Sequence, residues 1–313
     1  MAEPWLSLII PYNLKYGADL DRALASVFTQ IGVDLTQVEV IAVNDGGPAL
    51  PEPLAKRWPL RQYALAQSAG AGVARQVGLD HALGEYVMFL DADDMLASPK
   101  VLHDFKQACV DQPDVVKAPF WGEHREGEGV AYAVHSAEDH SAVYAKAYRR
   151  AYLNQLGLRF HPDLRVYEDV YFVALALDLA TTTATVSDPA YVWRLNWQST
   201  GRRDNFAMAH DGAAYVRSGR LRIQFLDAHH AQRTAHDFYE LLAGIYCHMQ
   251  KYPPQNPQAV TQEVRRLLQE NSKWWHLLRV RQLVGELVLK QAKARDLATD
   301  AIDAYLNYLE DLA

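Results

Sequence analysis

The chain is poor in several features that would narrow its class at once. It has two cysteines, Cys109 and Cys247, each alone within an apolar or helical pattern. That excludes a disulfide scaffold and leaves two buried thiols as the expectation. No apolar run approaches the roughly 20 residues that span a bilayer. Met1-Ala2-Glu3-Pro4 is acidic and leads straight into a strand-like run, unlike a signal peptide. A cytoplasmic protein is therefore expected, either soluble or peripheral to the inner face of the membrane. The 12 histidines contain no H-E-x-x-H or comparable spacing, which argues against zinc. Repeats and low-complexity tracts are absent too.

What is present is an ordinary globular composition, half hydrophobic and 22% charged, in 313 residues. That length suffices for one large domain or two modest ones. The net charge of −7 is uneven, because residues 201–313 carry 15 Lys/Arg against 13 Asp/Glu and the remainder 16 against 25. An acidic front portion suits a metal site better than direct binding of a phosphate backbone.

The first 95 residues alternate strand and helix. Trp5–Ile10 and Val38–Val43 read as buried strands, Arg61–Leu65 as a short one, and Tyr86–Asp91 as another. Asp19–Gln30 and Val73–Leu83 have helical spacing, and Pro48–Pro59 reads as a loop or irregular helix. Such alternation calls for an α/β fold with a mostly parallel sheet flanked by helices. Further on, Ser98–Cys109, Tyr144–Leu156 and Val170–Leu179 read as helices. Val115–Trp121, Val130–Val134, Ala184–Val186 and Tyr191–Arg194 read as strands. After about residue 205 the pattern is helical only, with apolar stripes such as Phe238, Leu241, Leu242 and Ile245.

Three strand ends carry ligand-type residues: Pro11-Tyr12-Asn13, Asn44-Asp45-Gly46, and Asp91-Ala92-Asp93-Asp94. In open α/β sheets ligands bind beyond the strands' C-terminal ends, where these residues emerge. Each motif alone also suits a turn or a helix cap. Converging on one crevice, they suggest a nucleotide site. Tyr12 would cover a ring, an acid would bond base or ribose, and a hard cation on the carboxylates would meet the phosphates. The loop at Gly70 and the helix carrying Arg75 add backbone donors and a guanidinium.

In order and content these motifs resemble the family 2 glycosyltransferases of the GT-A fold, a Rossmann-like architecture. The resemblance runs through Ser7–Asn13, Asn44–Gly47, Ser68–Gln76 and Gly84–Asp94. It continues through Tyr148-Arg149-Arg150, Phe160–Phe172 with its Glu168-Asp169 pair, and Tyr191–Ser199. There are departures. Asn44 replaces an acid, Ser68 and Gln76 replace asparagines, and Asn196 stands where a metal-binding His often lies.

The resemblance implies an inverting, metal-dependent enzyme that moves a sugar from a nucleotide-sugar, most plausibly a UDP-sugar, to an acceptor hydroxyl in glycan or glycoconjugate synthesis. By that resemblance Pro11, Tyr12, Asn13, Asp45, Gly70, Arg75, Asp91 and Ala92 bind the nucleotide-sugar. Asp93 and Asp94 hold Mn²⁺ or Mg²⁺. Asp169 is the general base and Glu168 orients it or the acceptor. Trp193, Arg194 and Asn196, with Trp197, line the donor or acceptor groove. Glycosylation of a modified nucleic-acid base and a non-catalytic nucleotide-sugar-binding relative are the alternatives. A glycosyltransferase domain over 1–204 is expected, followed by a helical region over 205–313 that shapes acceptor access or makes a homodimer contact. Its arginines (Arg202, Arg203, Arg217, Arg220, Arg222, Arg279, Arg281) also suit a peripheral membrane or nucleic-acid contact.

Overall fold

Leu6–Tyr12 (β1) is a seven-residue run in which every side chain is buried. A strand apolar on both faces is stable only inside a sheet covered on both sides. Its neighbours supply that setting. β1 pairs in parallel with Val38–Asn44 (β2) on one side and Tyr86–Phe89 (β4) on the other, and Leu60–Ala64 (β3) continues the sheet beyond β2. The crossovers are Leu20–Phe28 (α1), Glu52–Arg57 (α2) and Ala71–Asp80 (α3). Asp19 caps α1 by accepting from the Arg22 amide.

A computed structural model of the chain describes residues 3–14, 19–127, 129–196 and 207–313. The remaining elements of the first part are Met95–Leu96 (β5), Val101–Ala108 (α4), Val115–Lys117 (β6), Phe120–Glu126 (β7), Gly129–His135 (β8), Lys146–Arg149 (β9), Arg150–Leu156 (α5), Glu168–Asp178 (α6), Thr183–Thr185 (β10) and Tyr191–Trp193 (β11). Seven strands form one sheet in the order β10-β6-β9-β4-β1-β2-β3, and four form a second in the order β5-β11-β7-β8. The large sheet is parallel except for β9, which runs antiparallel to β4 and β6. Together these give the α/β fold.

Two local readings differ from the structure. Tyr144–Leu156 is not one helix: its first half is β9, and only Arg150–Leu156 is helical. Ala147 and Tyr148 are fully buried between two strands, and pairing on both edges outweighs a helix-compatible pattern. Val115–Trp121 likewise splits at Ala118-Pro119, with β6 in the large sheet and β7 in the small one. Proline brings no ladder donor to the point of divergence.

The chain divides into two compact units, Met1–Ser199 and Thr200–Ala313. That division and the composition shift expected after residue 204 both fall within 197–206, outside the described residues. The second unit is helical, with helices at Gly212–Ala228, Thr234–Lys251, Pro257–Glu270, Ser272–Trp275, Val280–Ala294 and Ile302–Leu312 around a core that includes Phe238, Leu242, Val264, Leu267, Val284 and Leu309. No helix among the described residues is long and apolar enough to cross a membrane. Cys109 and Cys247 are buried free thiols, and burial pushes Cys109 up to about 12.

Candidate active site

The register of the large sheet brings the three strand ends to one edge. Tyr12 lies level with Asn44, the Asp45 amide donates to the Tyr12 carbonyl at 2.8 Å, and the Leu90 amide to the Ile9 carbonyl at 3.0 Å. Pro11-Tyr12-Asn13, Asn44-Asp45 and Asp91–Asp94 therefore leave the sheet side by side. Asn13 donates to the Asp45 carbonyl at 2.7 Å. Tyr12, only 5% exposed, belongs to the core and offers little ring face for stacking.

The departure at Asn44 has a physical reason. Its Nδ2 donates to the carbonyls of Gly47 and Pro48 at 3.1 and 2.9 Å, while its Oδ1 accepts from the Gly47 amide at 2.8 Å. A carboxylate cannot make the two donations. The turn also needs Gly46, at φ +63, because a Cβ there would sit 2.3 Å from the backbone of Gln67 and Ser68. That close approach brings the loop of residues 68–70 onto Asp45. The Asp45 Oδ1 accepts the Ala69 and Gly70 amides at 2.7 and 3.0 Å, and its Oδ2 accepts the Ser68 hydroxyl at 2.7 Å. Asp45 thus organises the Gly70 loop, and three of its four acceptor positions are spent.

Arg75, on α3, is buried rather than open to a ligand. Its Nη2 lies 2.7 Å from Asp91 Oδ1 and its Nη1 3.1 Å from Glu168 Oε1, while its Nε has no hydrogen-bond partner. Burial alone would lower its proton affinity, but Asp91, Glu168 and Asp169 raise it well above the usual value. Gly72 permits this bridge, since a Cβ at that position would meet Glu168 Cγ at 2.6 Å.

Glu168 and Asp169 open α6, after Tyr167 in the left-handed region at φ 61. Beneath them Phe160 stacks on Phe172, centroids 4.2 Å apart. Glu168 is buried and Asp169 partly exposed. Burial pushes Glu168 up to about 8, with Asp169 adding to the rise and Arg75 opposing it. Asp169 also rises, by burial first, against the pull of Arg75 and the Val170 amide. Burial and their mutual repulsion push both carboxyls toward the protonated form, so the pair takes up and releases protons as a unit.

The small sheet clasps the acid cluster from the other side. The Tyr191 hydroxyl accepts from the Asp91 amide at 3.2 Å and donates to Asp94 Oδ2 at 2.5 Å. The Arg194 amide donates to Asp94 Oδ1 at 2.7 Å. Asp94 is buried with one hydrogen bond on each oxygen, and these hold the loop to the small sheet. Ala92 is buried beside it. Asn196 donates to Asp93 Oδ2 at 2.7 Å. Arg194 Nε lies 3.7 Å from Glu123, which also accepts the Leu195 amide at 2.9 Å. Trp193 packs against the core. Trp197 and Ser199 lie outside the described residues.

Glu123 and the bridging Tyr191 hydroxyl are the residues that sequence reasoning missed. Tyr191 stood within a matched motif. Glu123 carries no local signal, because it reaches the site from another strand.

Among the described residues no group of three or more His, Cys, Asp or Glu side chains is placed to hold a metal. Asp93, partly exposed, does offer hard carboxylate oxygen. That suits a cation such as Mg²⁺, which keeps waters and takes one or two carboxylates with substrate phosphates. The chain fits a cation in that manner, with Asp93 the more open of the two carboxylates.

The polyanion reading of the helical unit changes. Arg217 and Arg220 pair with the buried Glu263, Arg222 with the buried Asp237, and Arg281 with Glu310. Arg217, Arg220 and Arg222 are thus tied to buried acids, whereas Arg281 makes an exposed pair with Glu310 and Arg279 is exposed. Arg202 and Arg203 lie outside the described residues.

Comparison with known proteins gives a consistent picture. The model of the family "Glycosyl transferase family 2" matches residues 7–168. The glycosyltransferase EpsJ of Bacillus subtilis is 26% identical over 217 residues, 62% of this chain and 62% of EpsJ. The minor teichoic acid biosynthesis protein GgaB of the same organism is 33% identical over 132 residues, 39% of this chain and 14% of GgaB. The chain thus spans less than two thirds of the length of these two relatives. Among solved structures, residues 1–349 of S. aureus TarS in complex with UDP-GlcNAc are similar with a TM-score of 0.68 at 21% identity, covering 97% of this chain and 90% of that one. At that identity the likeness concerns the fold.

Proposed function

The chain belongs to glycosyl transferase family 2, and from that premise we propose that it transfers a sugar from a nucleotide-sugar to an acceptor hydroxyl, inverting the anomeric carbon, in the synthesis of a glycan or glycoconjugate. The observation that carries this reading is the ion-pair chain Asp91–Arg75–Glu168 with Asp169 at its end. It links the acid cluster at the sheet edge to a carboxylate with a raised proton affinity. A UDP-sugar is the first donor to test, supported by the UDP-GlcNAc complex of TarS.

In this reading Asp45 keeps one acceptor position for the N–H of a base and holds the Gly70 loop against it. Asp91, fixed by Arg75 and by Tyr191, holds the donor's ribose. Asp169 takes the proton of the acceptor hydroxyl as that oxygen attacks the anomeric carbon and the bond to the diphosphate breaks. Glu168, its proton affinity raised by burial and its carboxyl held by Arg75, orients Asp169 or the acceptor. A divalent cation, Mn²⁺ or Mg²⁺, would be held by Asp93 and, when bound, would supply positive charge to the departing diphosphate.

The test is transfer or hydrolysis of UDP-sugars, UDP-GlcNAc first, by the chain and by Asp169→Asn. Loss of a general base costs about 10²-fold or more, while UDP binding measured by calorimetry should persist. No turnover of any nucleotide-sugar by the unaltered chain, or equal turnover by the variant with acceptor present, would refute the assignment.

A further inference from the structure

The helical unit carries a corner that its own packing leaves uncovered. Between Ser272–Trp275 and Val280–Ala294 the backbone turns through residues 276–279, with Arg279 in the left-handed region at φ 66. The turn is well held: the His276 amide donates to the Ser272 carbonyl at 3.1 Å and the Val280 amide to the Leu277 carbonyl at 3.2 Å. Its inner side is anchored by Trp275 and Val280, both in the core. Its outer side is apolar, with Leu277 53%, Leu278 92% and Leu283 40% exposed. Tight turns ordinarily present Gly, Asn, Asp or Ser to water. A single exposed leucine would mean nothing, but three at one ordered corner do.

The segment itself is mainly basic, with Asp227 and Glu310 meeting two of its cations and Glu286, Asp300 and Asp303 lying along its helix near Leu289. Residues 271–295 contain six Lys/Arg against one acid, Glu286, in a chain of net charge −7. Lys273 and Arg281 are paired, with Asp227 and Glu310. Arg279, Lys290 and Lys293 have no ion-pair partner among the described residues. Leu283, Glu286 and Lys290 stand at i, i+3 and i+7 of the helix and share one face, which the exposed Arg279 precedes in the turn. Lys273 also covers Trp274, its Nζ 4.3 Å from the ring.

We propose that this corner is a membrane-contact site. Leu277, Leu278 and Leu283 would enter the headgroup–acyl boundary of an anionic bilayer, with Arg279, Lys290 and Lys293 against its lipid phosphates. Apolar side chains ringed by Lys and Arg are the combination that binds a charged lipid interface. A second copy of the chain fits less well. The three leucines expose on the order of 300 Å², short of the about 800 Å² per partner of a stable interface. A two-fold self-contact would also set the same basic residues against one another. A nucleic acid would leave the leucines without a role. The inference rests on the helical unit alone and does not depend on the reaction proposed for the sheet edge.

Co-sedimentation of the full chain with vesicles tests it. The chain should sediment with phosphatidylcholine vesicles containing about one third phosphatidylglycerol, and not with phosphatidylcholine alone. Leu277→Ser with Leu278→Ser should lower the partition coefficient by about tenfold or more. Lys290→Glu with Lys293→Glu should remove most of its salt dependence. These side chains point outward, so circular dichroism and the thermal midpoint should not change, and Leu278→Ser alone serves as the mildest variant. The proposal is overturned by failure to bind the anionic vesicles, or by undiminished binding of the double leucine variant. It is equally overturned by concentration-dependent self-association that the leucine variant abolishes, which would make the corner a self-contact.

Discussion

Replacing Arg75 by Met keeps an unbranched apolar stem and removes the guanidinium facing Asp91, Glu168 and Asp169. Removing one member of a buried ion pair costs about 3–5 kcal/mol, because the other is left charged and unsolvated. Here Asp91 is 26% exposed at its side chain and recovers some hydration, so the lower end, about 3 kcal/mol, is expected at alkaline pH.

The loss must depend on pH, and its sign follows from proton linkage. Glu168 already has a folded-state pKa of about 8, raised first by burial and then by Asp169, with Arg75 opposing. Taking Arg75 away raises it further. The folded variant therefore binds more protons than the unfolded chain from the ordinary carboxylate range upward. Its stability is full below that range and falls as pH rises through the folded value, by up to about 1.4 kcal/mol per pH unit for each extra proton bound.

Urea unfolding at several pH values reads this out. Because Glu168 of the unaltered chain ionises only near pH 8, Arg75→Met should show its largest extra loss, about 3 kcal/mol, above pH 8 and a smaller one at neutral and acidic pH. The double variant Arg75→Met with Glu168→Gln should recover a large part of the alkaline loss, because the buried charge it strands is gone. A loss independent of pH, or below about 1 kcal/mol throughout, would show that the ion-pair chain does not hold the site together.

Two further outcomes follow from the geometry. Gly72→Ala should destabilise by about 1–3 kcal/mol despite alanine's better helix propensity, and should lower turnover, since its Cβ displaces Glu168 from Arg75. A gain in thermal midpoint with unchanged turnover would contradict the close approach. Glu263→Ala should cost about 1–3 kcal/mol in unfolding of the helical unit, because it unpairs the partly exposed Arg217 and leaves the largely buried Arg220 with Glu270 alone, while calorimetric binding of UDP stays unchanged. A neutral result would mean that those arginines are not held internally.

Much of the frame is legible in local sequence. The runs of β1, β2 and β4 are apolar on both faces, and their ends carry Pro11-Tyr12-Asn13, Asn44-Asp45 and Asp91–Asp94. Strand period and the residue types at strand ends are short-range properties, so they survive reading without a structure. The pair Glu168-Asp169 at a helix start is visible in the same way.

Orientation and partnership are not local. β9 looks helical until its two neighbours claim its backbone groups. The acids of Asp91-Ala92-Asp93-Asp94 look alike in sequence, yet Tyr191, 97 positions beyond Asp94, draws Asp94 inward while Asp93 stays partly open. Arg75 reads as a ligand-binding guanidinium until Glu168, 93 positions away, meets it in the interior.

By itself, then, the sequence determined the sheet, its sense, and the chemical groups delivered to its C-terminal edge, because pattern and composition act over a few residues. The tertiary structure alone decided which acid holds the loop, which stays partly open, and which cation belongs to the fold, because burial and charge pairing depend on residues that meet only once the chain has folded.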